Sequence, residues 1–289
     1  MTGGPLAAAI GCVVLAVWPV QSLSSQTFVE DSAPRSVRAA GLAGASTAVV
    51  GDAGAIFGNP AALATIRGAA IEGAFAPGTG GVDLASGALA VRMGRFDWGF
   101  GAQTVASRPG GTAGDVLGVS ALVIRYGMLA AGGAMKYVQQ STIAQPVHCW
   151  AGDAGITLAI FDIAALGVSV QNLGGDFGNG TRLRRWTRLG LTMNYVDPQG
   201  TLRLLTTFEG RWPEGARAAF AAGMEGGVVH HGVGVVARLG VAGRAVPGRG
   251  GSVSAGASLE LHGLHIDYAY QISDPGSNAR HQLGLRWAP

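Results

Sequence analysis

The chain has 289 residues, of which 48% are hydrophobic, 13% are charged and 49 are glycine, and its mean hydropathy is +0.32. That is too apolar for a disordered chain and too rich in glycine for a helical bundle, while the length fits one large β domain or two ordinary ones. The net charge of +3 is small, and the arginines are dispersed rather than gathered on one stretch with interleaved aromatics, which excludes nucleic acid as a partner.

Leu6 to Val20 is an apolar run that closes at Pro19-Val20 and is followed by Ser22, Ser24 and Ser25. It reads as a secretory signal over residues 1–25, cleaved near Ser24 or Ser25, and is too short to span a membrane comfortably. No Lys or Arg precedes Leu6, so the amino terminus supplies the positive charge. Cys12 falls inside this segment, which leaves Cys149 alone in the mature chain and no disulfide framework.

Residues 26–67 form a small-residue segment with helix signals and few aromatics, suited to a plug at or inside the mouth of a barrel. Asn59-Pro60 marks a helix start within it. The Asn side chain can accept from free backbone N–H groups, and Pro at the first helical position gives up a donor that would be orphaned anyway. A short helix over Ala61–Ile66 follows, although Asn-Pro is also an ordinary turn signal.

From Gly68 onward apolar residues recur at every second position over segments of about 9 to 13 residues, which suits a tilted membrane strand. Punctuation by Gly, Pro, Asn and Asp places strands at 68–76, 82–93, 96–107, 115–126, 128–140, 148–160, 162–173, 184–196, 201–212, 216–228, 232–243, 251–261, 263–272 and 280–287. About fourteen strands is an even number, as a closed bacterial barrel with both termini on one side requires. Tight connections at 94–95, 126–127, 161–162, 197–200, 229–231 and 262–263 alternate with longer ones such as 108–114, 142–147, 174–183, 245–250 and 273–279. Short turns on one side and longer loops on the other are the habit of outer-membrane barrels.

The alternation also sorts charge from apolar surface. In 201–212, Leu202, Leu204, Phe208 and Trp212 share one face and Arg203, Thr207, Glu209 and Arg211 the other. The same division recurs in 184–196, 263–272 and 280–287. Arg184, Arg188, Arg203, Glu209, Arg211, Asp267 and Arg286 are therefore expected to face a wet lumen, because a midplane Arg on lipid costs on the order of 2–4 kcal/mol. Aromatics gather near strand ends as interfacial girdles would, with Phe96, Trp98, Tyr126, Tyr195 and Trp287 toward the tight turns and Trp150 and Trp212 toward the long loops. Period two also fits a soluble glycine-rich sandwich that packs its apolar face inward, and pattern alone leaves both architectures open.

The run from Arg38 to Ala53, its Asp52-Ala53 pair and Asn59-Pro60-Ala61 together resemble the N-terminal signature of the PorV/PorQ family of outer-membrane proteins. Asp-Ala followed by Asn-Pro-Ala-x-Leu, here ending at Leu63, is also similar to the hatch region of FadL-type long-chain fatty-acid transporters. Ala62 stands where the family motif usually has Gly, and Gly58 where an aromatic is common. At the other end, His265-Ile266-Asp267-Tyr268-Ala269-Tyr270 and His281 to Trp287 resemble the closing hairpin of PorV/PorQ proteins and the signal read by the barrel-assembly machinery, with Ala288 and Pro289 following the aromatic. The resemblance implies an all-β transmembrane antiparallel barrel over 68–289 in the lipid of a Gram-negative outer membrane, with a hatch-like plug motif at Asp52, Ala53, Asn59, Pro60, Ala61 and Leu63. It further implies a type IX secretion component or shuttle that meets secreted proteins. The FadL side implies instead a channel for hydrophobic small molecules.

No catalytic constellation emerges, and no enzyme activity, cofactor or metal site is expected. Gly44-Ala45-Ser46-Thr47-Ala48 approaches a nucleophile elbow but ends in Ala and follows no strand. His230-His231, if both lie on a strand, point to opposite faces and read as a solvated turn rather than a metal pair. Cys149, before Trp150, reads as a small barrel residue.

Overall fold

A computed structural model describes residues 36–77, 82–107, 114–141, 145–161, 163–196, 201–244, 251–272 and 279–288. The signal over 1–25, the start of the plug segment up to residue 35 and the centres of most long connections lie outside them. Among the described residues fourteen strands close into a barrel. They are β1 Ala69–Ala76, β2 Val82–Met93, β3 Phe96–Ser107, β4 Asp115–Tyr126, β5 Leu129–Gln140, β6 Val147–Ile160, β7 Ala164–Leu173, β8 Trp186–Asn194, β9 Leu202–Pro213, β10 Ala219–His230, β11 Val233–Ala242, β12 Ser252–Leu261, β13 Leu264–Ile272 and β14 Arg280–Trp287.

Each strand pairs antiparallel with its sequence neighbours, and β1 meets β14 through Ile71 opposite Trp287 to close the wall. Closure removes every sheet edge, so no backbone ladder is left unpaired in a medium without water. The sandwich reading is thereby excluded.

Strand placement agrees with the sequence to within three residues. The largest shift is in β10, expected at 216–228 and found at Ala219–His230. Gly215 adopts φ +69 in the β9–β10 connection, which holds the chain out of the sheet until Ala219, while His230 stays paired with Val233. The turn is therefore His231-Gly232, with positive φ at both residues, as is His262-Gly263. Such turns match the twist of the flanking strands. His230 and His231 thus sit at a solvated turn, as expected, and the turn sets their rings 4.0 Å apart between centroids.

Side chains alternate as the period demands. Phe208 is 51% exposed while its neighbour Glu209 is 2% exposed. The outer face carries Ile71, Leu122, Ile124, Met224, Leu239 and Leu285, all exposed, and Phe96, Trp98, Tyr126, Tyr195 and Trp287 ring the tight-turn end. Phe75, Trp150, Trp212 and Phe220 ring the other. An apolar band between aromatic girdles on a closed wall is the exterior of an outer-membrane barrel. Residues 36–66 lie inside it.

One irregularity interrupts the wall. Asp153 of β6 stands opposite both Gln171 and Asn172 of β7, a bulge in which Asn172 takes φ +66 and donates its N–H to Asp153 Oδ1 at 2.9 Å. The extra residue turns both Gln171 and Asn172 inward.

The cost of charge on the outer face should depend on depth. Phe208→Arg, at mid-strand, should destabilise insertion by about 2–4 kcal/mol, and Leu202→Arg, at the strand end, by only about 0–1 kcal/mol. Equilibrium unfolding from phospholipid vesicles measures both, and equal costs would mean that the register is wrong.

Candidate functional site

The plug begins where Ser36 caps the helix Val37–Gly41, its Oγ accepting from Ala39 N at 3.0 Å. Ala43 and Gly44, at φ +51 and +75, reverse the chain, and Gly51, at φ +95, turns it again. A 3-10 helix Ala53–Phe57 follows, then a second, Pro60–Thr65. The short helix expected at Ala61–Ile66 is thus present as a 3-10 helix, capped by Asn59 and with Pro60 as its first residue.

Asn59 does three things at once. Its Oδ1 caps Ala61 N at 3.1 Å, while its Nδ2 donates to Thr47 O at 2.8 Å and to Thr157 Oγ1 of β6 at 3.1 Å. Pro60, Ala61, Leu63 and Ala53 are buried. All six motif residues therefore sit in the plug interior or at its seam with the wall.

The wall admits the plug backbone because inward positions of nine strands are glycine. A Cβ at Gly101 would stand 2.7 Å from Phe57 Cζ, at Gly132 2.9 Å from Ala61 N, and at Gly190 2.9 Å from Ala48 N. Gly99, Gly155, Gly167, Gly223, Gly240, Gly256 and Gly284 meet the plug in the same way. Much of the glycine content is thus a packing surface.

Two charged grips fix the plug. In the first, charges alternate around a closed ring. Arg38 of the plug makes two bonds of 2.9 Å to Glu225 of β10 and one of 3.0 Å to Asp52 of the plug. Asp52 accepts from Arg286 of β14 at 2.6 Å, and Arg286 reaches Asp267 of β13 at 3.3 Å. Asp267 accepts from Arg238 of β11 at 3.1 Å, and Arg238 returns to Glu225 at 2.6 Å. Ser258 of β12 also donates to Asp267. Burial opposes ionisation of Asp52, but the guanidiniums of Arg286 and Arg38 more than offset it and hold its carboxyl below the usual range. Beside the ring, Glu72 of β1 accepts from Gly54 N at 2.9 Å.

The second grip is Glu209 of β9. It accepts the backbone N–H groups of Ser46 and Thr47 at 2.9 and 2.8 Å, together with Arg211 Nε at 2.7 Å and Arg188 Nη1 at 3.3 Å. Arg211 also donates to Ala43 O at 3.0 Å. Ser46 therefore belongs to an anchored turn, with its hydroxyl on Gly44 O, and not to a nucleophile elbow.

Arg188, Glu209, Arg211, Asp267 and Arg286 all face inward, with Glu209, Arg211 and Arg286 bonded directly to the plug. Arg203 lines a cavity of about 370 Å³ that Arg67, Asn194, Glu260 and His265 also line. Arg184 stands apart, in the segment before β8, with its carbonyl accepting from Asn172 Nδ2 at 2.7 Å. Sequence reasoning passed over Arg38, Glu72, Glu225, Arg238 and the inward glycines. The available signal was a lone charge inside an apolar alternation, such as Glu225 in Gly-Met-Glu-Gly or Arg238 in Val-Ala-Arg-Leu, which marks a lumenal residue in need of a partner.

The opposite sector is apolar. Leu84 of β2, Leu117 and Val119 of β4, Val138 of β5 and Cys149 and Ala151 of β6 form one buried cluster with Ile56, Phe57 and Leu63 of the plug. Phe177 and Leu183, from the segment between β7 and β8, join it from the long-loop end. The plug is thus held in two ways: mostly by apolar packing under β2–β6, where the ion pairs Arg92–Asp97–Arg125 and Lys136–Asp153 close among wall residues, and by ion pairs of its own under β8–β14.

No family model and no curated protein matches the sequence. Solved structures do match. The Ralstonia pickettii toluene transporter TbuX superposes with a TM-score of 0.62 at 12% identity, over 88% of this chain and 98% of that one. The CymD monoaromatic hydrocarbon channel gives 0.59 at 11% identity, over 86% and 94%. A Pseudomonas aeruginosa FadL homologue gives 0.57 at 14%, over 88% and 98%. The fold is that of the FadL-type outer-membrane barrels. PorV/PorQ membership has no counterpart among these matches.

Two changes test the packing. Gly132→Ala should loosen the plug and speed its cleavage by protease in the folded barrel, whereas Gly118→Ala, where a Cβ meets open space, should leave cleavage unchanged. Asp52→Ala leaves Arg38 and Arg286 each with one carboxylate in place of two and should lower stability by about 3–5 kcal/mol in a denaturant titration.

Proposed function

We propose that the protein is a non-enzymatic outer-membrane channel for small hydrophobic molecules. One observation carries this reading: a continuous apolar cluster runs from the long-loop end of the lumen, at Phe177 and Leu183, to the plug at Ile56, Phe57 and Leu63, in a barrel whose other inner sector is charged. An ion or sugar gains nothing from such a sector, whereas an apolar molecule leaves water on entering it, at about 25 cal/mol per Å² of surface buried. The toluene transporter and the monoaromatic hydrocarbon channel share the fold, which supports the same class of permeant here.

The PorV/PorQ resemblance of both chain ends supports a second reading, a type IX secretion component or shuttle that receives secreted proteins. On either reading the barrel-assembly machinery would recognise the last strand through Leu283, Leu285 and Trp287, which point outward together.

Uptake of radiolabelled toluene by cells whose outer membrane lacks other hydrocarbon channels separates the two. Expression of the protein should raise the initial rate well above that of cells with an empty vector. An unchanged rate, joined to loss of surface-delivered proteins when the native gene is deleted, would replace the channel reading with the secretion one.

A further inference from the structure

The two charged grips both fall on residues 36–52 of the plug. Arg38 and Asp52 belong to the ring, and the turn at Ser46-Thr47 belongs to Glu209. Residues 53–66 are held differently. Ile56, Phe57 and Leu63 lie on the glycine surface of β3, at Gly99 and Gly101. The remaining bonds of residues 53–66 to the wall each have a backbone or neutral group on the plug side, as in Gln171 Nε2 to Phe57 O at 2.9 Å, Arg92 Nη2 to Ala64 O at 2.7 Å, Gly54 N to Glu72 at 2.9 Å and Asn59 to Thr157. In none of these bonds does ionised side chain meet ionised side chain.

Resting on the channel reading, we propose that the permeant passes between strands β2–β6 and a flap formed by residues 53–66, while residues 36–52 stay latched to the wall. A hydrocarbon can replace the contacts of Ile56, Phe57 and Leu63 with contacts of its own. It cannot replace a guanidinium for Asp52 or Glu225, and opening that side would leave buried charges without partners. The flap is tethered at both ends, by Asp52 in the ring and by Ala69 at the start of β1, and Gly51, at φ +95, precedes it as a ready pivot. Phe57 and Leu63 would then set the width of the passage.

Two disulfides separate the halves, each built in a Cys149→Ala background. A Cβ at Gly99 would touch the Leu63 side chain, 2.6 Å from Cδ1, and one at Gly284 would lie 3.2 Å from Val37 Cβ, so each pair faces across the seam between plug and wall. Closing the Leu63→Cys/Gly99→Cys pair should abolish toluene uptake, with recovery on adding dithiothreitol. Closing the Val37→Cys/Gly284→Cys pair should leave uptake unchanged. Free uptake with the first bridge closed, or a block by the second, overturns the proposal. Phe57→Ala provides an independent arm: it should raise the uptake rate severalfold in a barrel that still migrates as folded without heating, and an unchanged or lower rate overturns the proposal. If the Cys149→Ala parent itself shows no uptake, the channel reading fails instead.

Discussion

A charge inside a membrane barrel must be paired or hydrated, and here the lumen is filled by plug. The ring from Arg38 through Asp52, Arg286, Asp267 and Arg238 to Glu225 satisfies that constraint. Each carboxylate has two guanidiniums and each guanidinium two carboxylates, so no member can leave without exposing two others. Four wall strands and the plug segment 36–52 are thereby fixed to one another. Buried pairs of this kind add little net stability over a well-packed apolar alternative, but breaking one is costly. Their effect is to specify one seat for the plug.

Glycine supplies the complementary condition. Ion pairs of about 3 Å across the seam require the plug backbone to lie against the wall, and a side chain at each inward position would hold it off. A chain with 49 glycines can spare them for this surface. The loss of local strand propensity at these positions is offset by closure, since every one of the fourteen strands is paired on both sides.

Most of the wall was legible because period-two alternation is a local property. Leu204 and Arg203 declare their faces within a few residues, and the glycines and turns mark the ends. The cap at Asn59 was legible for the same reason, although its bonds to Thr47 and Thr157 were not. What could not be read were contacts that depend on closure of the whole barrel. Arg38 and Glu225 are 187 positions apart, and Asp52 and Arg286 are 234 apart. Which lumenal charges meet is set by strand number and register taken together, and no short stretch carries that information.

The two sectors of the seam also exclude different things. Under β8–β14 the charges of the ring and of Glu209 are engaged with one another and with the plug, so an ion passing through them would have to displace a partner. Under β2–β6 the plug face is mostly apolar, the charges of Asp97, Arg125, Lys136 and Asp153 being paired within the wall, and water entering between the apolar side chains would lose its hydrogen bonds. On the channel reading, only the second has contacts that an apolar molecule can substitute without loss. On that same reading selectivity follows from the chemistry of the seam rather than from the diameter of a pore.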